Sequence, residues 1–158
     1  QAGPTGRSET MSATILANVT GVIVGGRGLL IAGPPGAGKS ALALALIDRG
    51  AMLVGDDAVS IACEGDFLTA SPPPNTRGLI EVRNVGIVEL PVASGPVALI
   101  LQLDPEAPRY PLDVALRLIE GMEVPALNFA AGDAVQALRA EYALSLHGLP
   151  LPKRNEKA

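Results

Sequence analysis

The chain has 158 residues, 48% of them hydrophobic but only 3% aromatic, and a formal net charge of −4 at pH 7. That length fits one domain with a core of Val, Leu, Ile and Ala, and the acidic balance without a basic run offers no electrostatic footprint for nucleic acid. No apolar run approaches the ~18 residues of a membrane-spanning helix, and the single Cys63 excludes an intrachain disulfide, so a reducing cytoplasm is the expected compartment.

Residues 1–10 are polar and precede Met11, and they read as an expression remnant before a native start, leaving 11–149 as the folded unit and 150–158 as a polar tail. Ala13–Val24 and Gly28–Ala32 are apolar segments joined by Gly25-Gly26-Arg27, which predicts a hairpin and hence a mixed sheet. Asn18-Val19-Thr20, formally a glycosylation sequon, is a chance match in a cytoplasmic chain.

Gly33-Pro34-Pro35-Gly36-Ala37-Gly38-Lys39-Ser40 satisfies the phosphate-loop pattern G-x-x-x-x-G-K-[ST] at every fixed position. Glycines let the backbone bend so that N–H groups face phosphate oxygens. Lys39 is placed for the β and γ phosphates of ATP, Ser40 for Mg2+, and Ala41 continues into the helix Ser40–Arg49, whose positive end would face the nucleotide. The alternating Ala and Leu of that segment are strong helix formers, and Gly50 terminates it. A plain glycine-rich turn with a surface lysine is the competing explanation, and the complete match with its flanking strand and helix outweighs it.

Met52–Val54 predicts a strand ending at Gly55-Asp56-Asp57, and Ala58–Ala62 with Phe67–Ala70 a hairpin. Ser71–Thr76 is a loop, Leu79–Val82 and Gly86–Leu90 are extended, and Val97–Leu103 is a central strand. Asp104–Pro111 is a proline-rich loop carrying Arg109, Leu112–Glu120 a helix ending at Gly121, and Ala126–Phe129 a short strand. A last helix, capped by Asp133, repeats Val135, Leu138, Tyr142 and Leu146 at core spacing and closes at Gly148. His147, the only histidine, reads as a surface residue.

Phosphoryl transfer needs a metal on the phosphates and an acceptor for the nucleophile's proton, and Asp56 and Asp57 can divide those tasks. Adjacent strand residues point to opposite faces, so one of the pair faces the loop. A turn that uses Asp only for its backbone hydrogen bonds is the bland alternative, and the neighbouring phosphate loop reverses the odds.

The run Lys39-Ser40, Leu46-Ile47-Asp48-Arg49-Gly50 and Leu53-Val54-Gly55-Asp56-Asp57-Ala58-Val59 resembles the catalytic domain of HPr kinase/phosphorylase. Ile80–Glu89 is similar to that family's signature segment, and Arg109 before the Val124-Pro125 strand is a weaker match. The resemblance implies an α/β fold, a single P-loop domain with a mixed central sheet flanked by helices, similar to HPr kinase and PEP carboxykinase. It implies an ATP-dependent protein serine kinase acting on an HPr-like phosphocarrier of the bacterial phosphotransferase system, a homo-oligomer that is hexameric in the family. By this match Asp57 exchanges a proton with the substrate serine, Lys39 and Asp56 assist, Ser40 and Glu81 hold Mg2+, and Arg109 acts on the transferred phosphate.

The family pattern is broken at three places. Asn18 stands 15 residues before Gly33, where the family has a catalytic histidine, and an amide holds no proton there, which puts kinase efficiency in doubt. Asn84 replaces a signature glycine, and Ala130-Ala131-Gly132-Asp133 lacks the arginines associated with dephosphorylation, which makes phosphorylase activity doubtful. The longer members' N-terminal domain is also not seen, as in the family's short form. Two rival readings stand beside this one: a small-molecule kinase, for which only Asp104–Pro111 offers a lid, and a non-catalytic ATP and Mg2+ sensor, favoured by Asn18 and Asn84.

Overall fold

A computed structural model describes residues 13–111 and 113–153. The strands are β1 Thr14–Ala17, β2 Val19–Val24, β3 Arg27–Ala32, β4 Met52–Gly55, β5 Ala58–Glu64, β6 Phe67–Ser71, β7 Leu79–Val82, β8 Gly86–Glu89, β9 Gly95–Leu103, β10 Ala115–Ile119 and β11 Met122–Phe129. Two helices accompany them, α1 at Lys39–Asp48 and α2 at Gln136–His147. Nine strands form one sheet with the order β1-β5-β6-β9-β3-β2-β4, to which β11 adds beside β9 and β10 beside β11, while β7 and β8 make a separate hairpin. The β3–β9 and β9–β11 pairings are parallel and the other named strand pairings antiparallel, so the expected mixed sheet is present.

The apolar run of β3 is continuous because both of its faces are covered. Leu29 and Ile31 enter one core with Leu42 and Leu46 of α1 and Ala140 and Leu144 of α2. Leu30 and Ala32 point the other way, into a core closed by Val54, Val59, Ile61, Leu68 and Ala70 of β4, β5 and β6. Helices therefore cover only one face among the described residues. The opposite face is closed by the sheet curling over itself, which differs from a sheet flanked by helices. The two helices are tied by Arg49, which donates to both Glu141 oxygens at 2.8 and 2.9 Å. That hydrogen bond first, and the Glu141 charge second, raise the Arg49 pKa above its ordinary value.

Three expectations are corrected. Ala13–Val24 is two strands, broken at Asn18, whose φ of 64° turns the chain between β1 and β2. The segment read as a helix over Leu112–Glu120 is strand β10, and Leu112 itself lies outside the described residues. Its Ala, Leu and Arg are good helix formers, but propensity is a weak prior that tertiary context overrides. A two-residue turn at Glu120-Gly121, with φ of 48° and 82°, folds β10 back onto a β11 longer than expected. Positive φ at both turn residues matches the twist of paired strands, so tertiary pairing overrides propensity.

The third correction concerns α2. Its buried residues are Ala137, Ala140, Ala143 and Leu144, whereas Val135, Leu138, Tyr142 and Leu146 face outward. The small alanines let the helix backbone lie close to β9 and α1, and size rather than hydrophobicity selects the inner face. Asp133 sits outside the helix, its carboxylate accepting the Val135 N–H at 3.2 Å, and Val135 takes the cap position without a side-chain bond. The readings for residues 1–10 and for 154–158 lie outside the described residues. No helix of the described residues is long and apolar enough to cross a membrane.

The helix orientation is directly testable. Leu144→Ala, at a side chain 2% exposed, is expected to lower unfolding stability by about 2–5 kcal/mol. Leu146→Ala, at 76% exposed, is expected to change it by less than about 0.5 kcal/mol in urea denaturation. Similar losses at both positions would reject this placement of α2.

Candidate active site

Strand directions bring distant chain segments to one edge. Parallel β3, β9 and β11 end there at Ala32, Leu103 and Phe129. Antiparallel β2 begins there, since Val19 lies opposite Ala32, and β4 ends there, since Gly55 lies opposite Gly21. Asn18, the Gly33–Ser40 loop and the Gly55–Asp57 turn thus meet although they are far apart in sequence.

Between β3 and α1 the chain makes a tight turn in which the Ala37 N–H donates to Pro34 O at 3.1 Å. Gly36 and Gly38 have φ of 81° and 104°, which L side chains rarely adopt, so the loop's path requires glycine at both. Gly38 caps α1 without any side-chain bond, which leaves first-turn N–H groups for an anion. Lys39 is buried, 7% exposed, and folds back so that Nζ donates to Gly33 O at 2.7 Å and Pro34 O at 3.2 Å. These carbonyls satisfy a charge that burial would otherwise penalise.

The two aspartates occupy different environments. Asp56 is half-buried, and its Oδ1 accepts from Ser40 Oγ at 2.6 Å and from Thr20 Oγ1 at 3.1 Å. Its other oxygen, Oδ2, receives the Glu81 N–H at 3.4 Å. Asp57 is exposed, with φ of 65°, and its carboxylate has no hydrogen-bond partner among the described residues. Its backbone is held at both ends: the Asp57 N–H donates to Thr20 Oγ1 at 3.1 Å, and Asp57 O accepts the Asn18 N–H at 2.9 Å.

A cleft of about 780 Å3 lies over these groups, lined on one side by Pro35, Gly36, Gly38, Lys39, Ser40 and Ala41 of the loop and helix. Asn18, Asp56 and Asp57 line another side, and Glu81, Val82, Arg83 and Asn84 of the β7–β8 hairpin a third. Of the residues singled out by sequence, Lys39, Ser40, Asp56, Asp57 and Glu81 share this cleft. Gly33, Pro34 and Ala37 shape the loop without lining it. Arg109 is exposed on the loop after β9, at the same sheet edge, yet does not reach the cleft wall. Three of the four non-glycine residues with positive φ among the described residues, Asn18, Asp57 and Asn84, line the cleft, a concentration of backbone strain typical of functional sites.

Sequence reasoning passed over Thr20, which is fully buried and bonded to both members of the aspartate pair. The available signal was a hydroxyl residue within an otherwise apolar strand.

Asp56→Ala removes the acceptor of the buried Thr20 hydroxyl and is expected to cost about 1–3 kcal/mol. Asp57→Asn keeps a residue type tolerant of positive φ and is expected to stay within about 0.5 kcal/mol. Thermal unfolding of the two variants checks the contrast, and equal losses would contradict it.

With this geometry in hand, comparison with known proteins is specific. The family described as HPr Serine kinase C-terminal domain matches residues 9–101. The HPr kinase/phosphorylase of Clostridium novyi (strain NT) is 42% identical over 87 residues, covering 55% of this chain and 27% of that protein. That of Ralstonia nicotianae is 39% identical over 112 residues, covering 63% and 35%. The chain therefore spans about a quarter to a third of the length of these curated relatives. Among solved structures, the Hpr(Ser) kinase/phosphatase from Coxiella burnetii superposes with a TM-score of 0.69 at 28% identity, covering 84% of this chain and 92% of that one. The matched segment carries the loop, the aspartate turn and the β7–β8 hairpin that together wall the cleft, and by it this chain belongs to the HPr serine kinase C-terminal domain family.

Proposed function

We propose that residues 11–149 form a P-loop catalytic domain, related in fold to PEP carboxykinase, that acts in the cytoplasm as an ATP-dependent serine kinase on an HPr-like phosphocarrier. The observation that carries this reading is the pairing, within one cleft, of a phosphate-loop geometry with a solvent-facing carboxylate at Asp57. The names of the relatives support the same substrate class.

In this reading the loop N–H groups and the start of α1 cradle the β and γ phosphates, and Lys39 exchanges its carbonyl partners for phosphate oxygens. The substrate serine enters from the open side of the cleft. Its oxygen forms the new bond to the γ phosphorus, the bond from that phosphorus to the β–γ bridging oxygen breaks, ADP leaves, and the serine proton passes to Asp57. Among the described residues no cluster of three or more His, Cys, Asp or Glu side chains is preformed as a metal cage. That suits Mg2+, which is held by few protein oxygens and completed by phosphates and water. Ser40 Oγ, 2.6 Å from Asp56 Oδ1, and the cleft-lining Glu81 form a hard-oxygen donor set of that kind. When bound, the cation neutralises charge on the phosphates and leaving group. Phosphorolysis is the weaker activity in this reading, supported by the absence of arginine from Ala130–Asp133.

The test incubates the chain with labelled ATP, Mg2+ and a purified phosphocarrier. Serine-linked label is expected with the wild type, and a loss of about 10²–10⁴-fold with Asp57→Asn. Asn18→His is expected to raise the rate by restoring a proton-holding group beside Asp57. Binding of ATP and Mg2+ with no transfer to any carrier would overturn the kinase reading in favour of a nucleotide-binding regulator.

A further inference from the structure

We propose that Thr20 is a positioning residue for phosphoryl transfer: a single buried hydroxyl sets the orientation of both aspartates at once. The inference rests on the role proposed for Asp57 as proton acceptor. Thr20 and Lys39 are the buried polar or charged residues of the described chain, and Lys39 belongs to the phosphate loop. Thr20 lies in β2 between Val19 and Val22, at 0% exposure, where valine would fill the same space without desolvating a hydroxyl. The hydroxyl is retained with both of its functions in use.

It donates its one proton to Asp56 Oδ1 at 3.1 Å, the oxygen that also receives Ser40 Oγ, so it fixes the carboxylate that fixes the serine. It accepts the Asp57 N–H at 3.1 Å. Asp57 has φ of 65°, a conformation that costs a non-glycine residue energy, and this bond together with that from Asn18 N–H to Asp57 O holds it there. Without the Thr20 acceptor only the Asn18 bond opposes relaxation of the turn toward negative φ, which would swing the Asp57 carboxylate away from the cleft. A carboxylate misplaced by about 1 Å costs on the order of 10²-fold in rate. Thr20 is fully buried and does not line the cleft, so its effect falls on turnover rather than on ATP affinity.

The experiment compares the wild type with Thr20→Val, which keeps the shape and removes the hydroxyl, and with Thr20→Ser, which keeps the hydroxyl. Expected for Thr20→Val is a fall in kcat of about 10- to 100-fold, with KM for ATP changed by less than about twofold. Thr20→Ser is expected to hold kcat within roughly threefold of the wild type. Amide hydrogen exchange, read by NMR at Asp57, should quicken in Thr20→Val and stay slow in Thr20→Ser. A Thr20→Val protein with wild-type kcat, or a Thr20→Ser protein as impaired as Thr20→Val, overturns the proposal. Should Thr20→Val fail to fold, Thr20→Ser decides: near-wild-type kcat with a protected Asp57 amide supports the role, and a loss above about tenfold rejects it. A wild-type chain that transfers no phosphate overturns the reading of function instead, and protection of the Asp57 amide then decides separately whether the hydroxyl holds the pair.

Discussion

The carboxylate of Asp56 joins β2, α1 and the β7–β8 hairpin to the end of β4, through Thr20, Ser40 and the Glu81 N–H. No other side chain in the cleft bonds to as many separate elements among the described residues. A charged oxygen pair at the mouth of a curled sheet loses part of its hydration, and three donors replace it. Each donor is on a different segment, so satisfying Asp56 also sets where the loop–helix junction, the strand and the hairpin stand relative to one another. The cleft follows from this constraint, since its three walls are those segments.

The core makes this edge stiff. Strands β3 and β9 are buried on both faces, and the loops that follow them leave from a fixed base. Leu103, at the end of β9, packs so closely on Gly33 that a Cβ there would sit 3.2 Å from it. Gly33 is thereby tied to the central strand as well as to its own backbone geometry. Rigid strands with a glycine-bearing loop at their carboxyl edge are a general means of holding backbone N–H groups in place for a charged ligand.

Much of the candidate site was legible because its signals are local. The Gly33–Ser40 spacing is a backbone pattern, and strand, loop and helix around it follow from adjacent residues. Asp56 and Asp57 stand out as paired carboxylates at a strand end, and they share the cleft with Lys39, Ser40 and Glu81. Thr20 did not stand out, because threonine is an ordinary strand residue and only the fold brings it within 3.1 Å of residues more than 30 positions away. Strand β10 was misread for a related reason: Ala-Leu-Arg-Leu-Ile suits a helix by propensity, and its pairing with β11 depends on β9 being there to receive β11. Helix α2 shows the same limit, since a three- and four-residue apolar repeat named Leu138 and Tyr142 for the core, while close packing selected Ala137, Ala140 and Ala143.

The amino-acid order alone determined the glycine-bearing turn between β3 and α1, the mixed sheet and the position of the acidic turn, because glycine conformations, apolar runs and turn residues act over a few neighbours. Tertiary structure decided that Asp56 faces inward on three donors while Asp57 faces the cleft, that Arg109 stays off its wall, and that the sheet closes one of its own faces. Those outcomes depend on which distant groups satisfy a half-buried charge and which surfaces remain to be covered once the strands have paired, and neither is a property of any short stretch of chain.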